Sequence, residues 1–83
     1  MSRGWYTITL ENFSVRLLLL RKQRGLSLVA LGNAIGVSNQ AISLLEKNKR
    51  YPSYEVLLAL ADFFDVSLDY LCGRSDNPNS HKL

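Results

Sequence analysis

The sequence predicts an all-α fold, a compact bundle of about five helices with room for one short N-terminal β-strand. Three observations predict it. Apolar residues recur at helical spacing through most of the chain. A Ser or Asn stands before nearly every such run, where its side chain can satisfy an orphan backbone N–H. In "LGNAIGVSNQAISLLEKNKRYPS", residues 31–53, the period of Leu31, Ala34 and Ile35 breaks at Gly36-Val37-Ser38 and restarts with Ile42 and Leu45.

The elements follow in order. Residues 5–10, "WYTITL", are aromatic, β-branched and partly alternating, which favours a short strand. Asn12 is placed to cap a helix over 13–24, closed by Gly25. Ser27 caps a second helix that ends at Gly36, and Ser38 caps a third that runs to about Lys47. "NKRYPS" is a loop, and Pro52-Ser53 announces a fourth helix through Phe64. Ser67 caps a short fifth helix to about Cys72. Beyond it "GRSDNPNSHKL" is polar and reads as a frayed tail. The division is thus an N-terminal extension over 1–11, a helical domain over 12–73 and a polar tail over 74–83. There is no internal repeat and no low-complexity block.

The first helix carries two apolar stripes. Phe13, Leu17 and Leu20 should face the core. Val15, Leu18, Leu19 and the stem of Lys22 form a second stripe that a lone domain leaves uncovered. The expectation is that Trp5, Ile8 and Leu10 help cover Leu18 and Leu19, at or beside a two-fold interface.

Composition narrows the function classes. At 83 residues, 47% hydrophobic and 20% charged, the chain is one globular domain. No apolar h-region follows Met1, and the Leu17 to Leu20 run is too short to span a membrane. The lone Cys72 can form no internal disulfide, so a reducing, cytoplasmic compartment is expected. It is read as small core filler. His81 has no Cys or second His near it, so no metal and no cofactor are expected. Tyr51, Tyr54 and Tyr70 are read as packing residues. No nucleophile, base and orienting residue are suggestively spaced, and no enzyme is expected.

The net charge of +3 is unevenly spread. Arg16, Arg21, Lys22, Arg24, Lys47, Lys49 and Arg50 face a single acid, Glu46, over residues 16–50. Residues 51–76 hold Glu55, Asp62, Asp65, Asp69 and Asp76 against Arg74. A one-sided positive field suits a polyanion, and equally well a solvated face with no partner.

The interrupted stretch is a helix-turn-helix: two short helices joined where Gly36 can take the positive φ of a sharp turn. Gly32 sits where the second and third helices must approach closely. Burying Ile42 and Leu45 leaves Asn39, Gln40, Ser43, Leu44 and Lys47 facing outward. Such a helix suits the DNA major groove, its amino end meeting base edges.

From 16 to 73 the chain resembles the Cro/λ-repressor-type helix-turn-helix domain, the XRE family. The residues that carry the resemblance are "RLLLLRKQRGLS", the stretch over 31–53 and "LLALADFFDVSLDYL". The resemblance implies a five-helix DNA-binding domain, usually homodimeric, that regulates transcription from double-stranded DNA. By position, Asn39, Gln40, Ser43 and Leu44 would read bases. Ser38, Lys47, Lys49 and Arg50 would contact phosphates. Arg21 and Glu46 would form a buried pair between the first and third helices. The family's usual interface would fall on the fifth helix, around Val66, Leu68 and Leu71. The chain departs from the pattern at Leu28, where a phosphate-binding Gln is common, at Val29, commonly acidic, and at Leu18, Leu19 and Leu44. Leu44 would meet a thymine methyl or pack on a protein. The apolar departures support a rival reading, a protein-interaction module of anti-repressor or antitoxin type on the same fold.

Overall fold

A computed structural model of the chain describes the backbone of residues 4–79 and the side chains of residues 12–79. Among the described residues five helices follow one another: α1 (Gly4–Gln23), α2 (Leu28–Ile35), α3 (Asn39–Glu46), α4 (Tyr54–Phe64) and α5 (Leu68–Leu71). Four of the starts are set by the expected serines. Ser27, Ser38, Ser53 and Ser67 hold extended backbone, and each hydroxyl oxygen accepts from the N–H three residues on: Ala30, Ala41, Val56 and Tyr70. Each such cap is worth about 1 kcal/mol.

The start of α1 corrects the sequence reading. Residues 5–10 are helical and not a strand, and Asn12 lies inside the helix instead of capping it. An unpaired strand leaves its N–H and C=O groups unsatisfied, and no strand lies among the described residues to pair with it. A helix satisfies those groups within itself. The β-branched Thr7 and Ile8 resist this by only a few tenths of a kcal/mol each, roughly. The side chains of Trp5, Ile8 and Leu10 lie outside the described residues, and so does His81.

From α1 the stripe of Phe13, Leu17 and Leu20 enters the core. It meets Leu31 of α2, Ile42 and Leu45 of α3, Leu60 and Phe64 of α4, and Leu71 of α5. Full burial of such a side chain contributes about 1.5–3 kcal/mol. The second stripe is uncovered among the described residues: Val15 is 64% exposed, Leu19 47% and Leu18 37%.

The turn between α2 and α3 bends the chain by 108°. Gly36 takes φ 82°, and its N–H donates to Gly32 O at 2.8 Å. Val37 N–H donates to the same oxygen at 2.9 Å. A Cβ on Gly32 would stand 2.5 Å from Val37 O and 3.3 Å from Asn39 N. Both are backbone atoms, so neither can swing aside.

The segment after α5 is not frayed over residues 74–79. Ser67 N–H donates to Pro78 O at 2.8 Å, and Arg16 Nη1 donates to Ser75 O at 3.4 Å. The Arg16 guanidinium also lies 4.1 Å from the centre of the Tyr70 ring and 3.6 Å from the exposed Asp76 carboxylate. A Cβ at Gly73 would collide with the Asn12 side chain. The polar tail supplies carbonyls to donors on α1 and at the start of α5, which polar composition alone does not reveal. Among the described residues no single helix is long and apolar enough to cross a membrane.

Gly32→Ala should destabilise the domain by about 1–3 kcal/mol, the usual cost of overpacking. Alanine would otherwise favour the helix, so a raised melting temperature would show that α2 and α3 do not approach as closely as described.

Candidate nucleic-acid interface

The faces of α3 follow from its period. Ile42 is fully buried and Leu45 nearly so. Asn39 and Gln40 are exposed, and Ser43 and Leu44 half-buried. Gln40, Ser43, Leu44 and Lys47 are neighbours at three- and four-residue spacing, so they form one outward row. The exposed Ser38 accepts from Ala41 N–H at 3.1 Å. Its own O–H is still free to donate.

After α3 the chain turns through Asn48, whose φ is 58°. Lys49 N–H donates to Leu44 O at 2.9 Å, which ties the loop to the helix end. Lys47, Lys49 and Arg50 are all exposed. The structure thus brings the expected base-reading and phosphate-contacting residues together at α3 and its following loop.

The carboxyl end of α3 is held by α1. Arg21 Nε donates to Glu46 Oε2 at 2.6 Å and Nη2 donates to Oε1 at 3.0 Å. The third guanidinium nitrogen, Nη1, donates to Leu26 O at 2.8 Å. The two side chains are only 12% and 8% exposed. The Glu46 hydrogen bond raises the Arg21 pKa, while burial opposes it. One α3 residue earlier, Ser14 Oγ donates to Leu45 O at 2.8 Å in a buried contact. Ser14 and Arg21 stand seven positions apart, two helical turns, so they share one face of α1. The sequence reading missed Ser14. Its signal was a small hydroxyl residue lying between Phe13 and Leu17, where an apolar face leaves it no water.

Several cations expected to build a positive field are otherwise engaged. Arg21 pairs with Glu46, and Arg16 holds Tyr70 and the tail. Arg24 Nη2 donates to Phe64 O at 3.1 Å, at the last residue of α4, and its guanidinium lies 5.4 Å from the Phe64 ring. Among the described residues of the first half, Lys22, Lys47, Lys49 and Arg50 are the exposed cations with no such role.

Other placements are as follows. Leu28 packs partly against the core, whereas Val29 is 54% exposed. Leu71 is fully buried and Val66 nearly so within their own chain. Leu68 is half-buried. Tyr70 packs as expected, but Tyr51 and Tyr54 are 73% and 63% exposed and do not. Cys72 is half-buried, and burial, with Asp69 adding, pushes its thiol pKa up. Among the described residues no group of three or more His, Cys, Asp or Glu could hold a metal ion.

Two short helices at 108°, the second clamped at its carboxyl end and bare on its outer face, define a helix-turn-helix protein. Residues 17–71 match the family model described as Helix-turn-helix. The chain belongs to that family, in its Cro/λ-repressor-type branch. It is 41% identical over 61 residues to the HTH-type transcriptional regulator PrpR of Mycobacterium tuberculosis, covering 74% of this chain and 13% of that one. It is 34% identical over 64 residues to the uncharacterized HTH-type transcriptional regulator YobD of Bacillus subtilis, covering 77% and 57%. Repressor protein C2 of Salmonella phage P22 is 45% identical over 51 residues, covering 61% and 24%. The chain thus spans little more than half, or much less, of the curated relatives it matches. Among solved structures, the nuclear magnetic resonance structure of the P22 C2 repressor DNA-binding domain superposes with a TM-score of 0.67. The identity is 41%, and 71% of this chain and 78% of that one are covered.

Glu46→Ala leaves Arg21 buried without its partner and should cost about 3–5 kcal/mol. Ser14→Ala should cost less, about 0.5–1.5 kcal/mol, because Leu45 O also accepts from Asn48 N–H at 3.2 Å. Chemical denaturation of both variants checks the order. Equal, near-zero effects would show that neither contact holds α3.

Proposed function

We propose that the protein is a sequence-specific regulator of transcription that binds double-stranded DNA in the manner of a repressor. The amino half of α3 enters the major groove. There Asn39 and Gln40 meet base edges, with Ser43 and Leu44 beside them. Ser38, Lys47, Lys49 and Arg50 contact phosphates on either side. One observation carries this reading: two exposed amides at the start of a helix whose other end is locked by a buried ion pair. A reading helix must be rigid, because bidentate base contacts tolerate little misalignment. The names of its relatives, transcriptional regulators and a phage repressor, support the same conclusion.

We also propose a homodimer on an inverted repeat. Two-fold proteins read two half-sites about 34–36 Å apart, which strengthens the weak reading of a single short helix. The exposed stripe of Val15, Leu18 and Leu19 supports a second copy, with Leu68 as a further candidate. This places the protein in the cytoplasm, on the chromosome, with no catalytic step assigned. A protein-interaction module is the second reading, favoured by the exposed Val29 and the partly apolar reading row at Leu44. Salt separates them, since DNA binding weakens steeply as counterions are added and apolar pairing does not.

Selection of duplexes from a random pool should return an inverted repeat. Gln40→Ala should then lose about 1–3 kcal/mol of discrimination at one or two base pairs per half-site. Lys49→Ala and Arg50→Ala should weaken binding on every duplex alike and each reduce the salt slope by about 1. An unchanged profile for Asn39→Ala and Gln40→Ala would remove both amides from the reading surface. For the dimer, Leu18→Lys with Leu19→Lys should halve the mass measured by light scattering, and an unchanged mass would place the interface elsewhere.

A further inference from the structure

Four positions define the outer face of α1. Val15 and Leu18 are apolar and exposed, and Lys22 is exposed one turn beyond them. Glu11 completes the row at its other end, because the backbone is already helical there. Had the helix begun at Phe13, Glu11 would lie off it. The steps from Glu11 to Val15, Leu18 and Lys22 are four, three and four residues. That alternation keeps the positions on one face and is the spacing of a seam between two helices.

The row reads acid, apolar, apolar, base. Glu11 and Lys22 stand equally far from its centre, between Arg16 and Leu17, and so do Val15 and Leu18. Turning the row through half a turn about that centre lays acid on base and apolar on apolar. Such self-complementarity is what an isologous two-fold contact requires. A parallel pair would set each Glu11 and each Lys22 beside its own twin, and like charges repel. Apolar contacts alone would hold in either direction, so charge complementarity selects both the occupant and its direction.

We propose that a second copy of this chain docks on α1 antiparallel to it. Val15 lies against Leu18 of the partner subunit and Glu11 against Lys22 of the partner subunit, and the two-fold makes each contact twice. This rests on the homodimer reading and adds its direction and register. Leu19, one position after a seam residue, flanks the seam on one side. Ser14 and Arg21, each one position before a seam residue, flank it on the other, and both hold α3. The two-fold axis stands perpendicular to the antiparallel helices. What flanks α1 on one side then flanks its twin on the same side. Both copies of α3 are thus carried on one side of the dimer, where a single duplex can meet them.

The test is sedimentation equilibrium on the full chain, on Lys22→Glu, on Glu11→Lys and on the two changes combined. Each single change sets like charges together twice per dimer and should raise the dimer dissociation constant roughly tenfold. The combined change restores opposite charges in the same register and should return it to within about threefold of wild type. It carries both substitutions, so a restored dimer also shows that neither one unfolds the chain. Single variants that dimerise like wild type overturn the antiparallel register. Losses that the combined change does not recover overturn it too. A wild-type chain that stays monomeric overturns the homodimer reading, and this proposal with it.

Discussion

The orientation of α3 depends on α1, which holds its carboxyl end. Glu46 ends α3, where the helix dipole is negative and a carboxylate is unfavourable. Burying it there makes the position worse. Arg21 offsets both costs with two parallel hydrogen bonds, and its remaining nitrogen donates to Leu26 O, so each guanidinium nitrogen has a partner. An apolar pair of similar size would stabilise the fold as well or better. What the ion pair adds is direction: a planar fork meets a planar carboxylate in few orientations, which fixes the rotation of α3 on the scaffold. Ser14, gripping Leu45 O two turns earlier on α1, fixes the same end along its length. The amino end of α3 is then aimed by the 108° turn, whose closeness depends on the missing Cβ of Gly32.

That arrangement divides the cations into two kinds. Arg16, Arg21 and Arg24 all lie on or just beyond α1, and each is turned to a carbonyl, carboxylate or ring of its own chain. Arginine suits this work, because it is weakly hydrated and stacks on aromatic faces. Apart from Lys22 on α1, the exposed cations without such a contact among the described residues gather around the end of α3, at Lys47, Lys49 and Arg50. Lysine there remains a mobile, well-hydrated point charge. The uneven charge of the sequence is real, but much of it serves the fold.

The apolar surplus is divided in a similar way. Leu28 and Leu44, read as surface departures from the family pattern, are half-buried, so part of each belongs to the domain itself. Val15, Leu18, Leu19 and Val29 retain surface among the described residues. Of the residues expected at an interface around α5, Val66 and Leu71 are buried in their own chain, while Leu68 keeps part of its surface.

What could be read from residue order alone was set by neighbours. Ser27, Ser38, Ser53 and Ser67 cap their helices because a hydroxyl reaches the N–H three residues on whatever surrounds it. The break at Gly36 and the inward pair of Ile42 and Leu45 follow from local backbone freedom and the helical period. The outward set of Asn39, Gln40 and Ser43 follows by elimination, so the candidate site was legible before the fold was known. Residue order misjudged the segment over 5–10, where strand propensity is weak against the need of every backbone group for a partner. It could not show that Ser14 meets Leu45, that Arg24 meets Phe64, or that the tail is held by Arg16. Those partners lie 31, 40 and 59 positions away. Contacts of that range exist only once packing has brought the helices together. Until then a serine in an apolar stripe has no geometry to define its role.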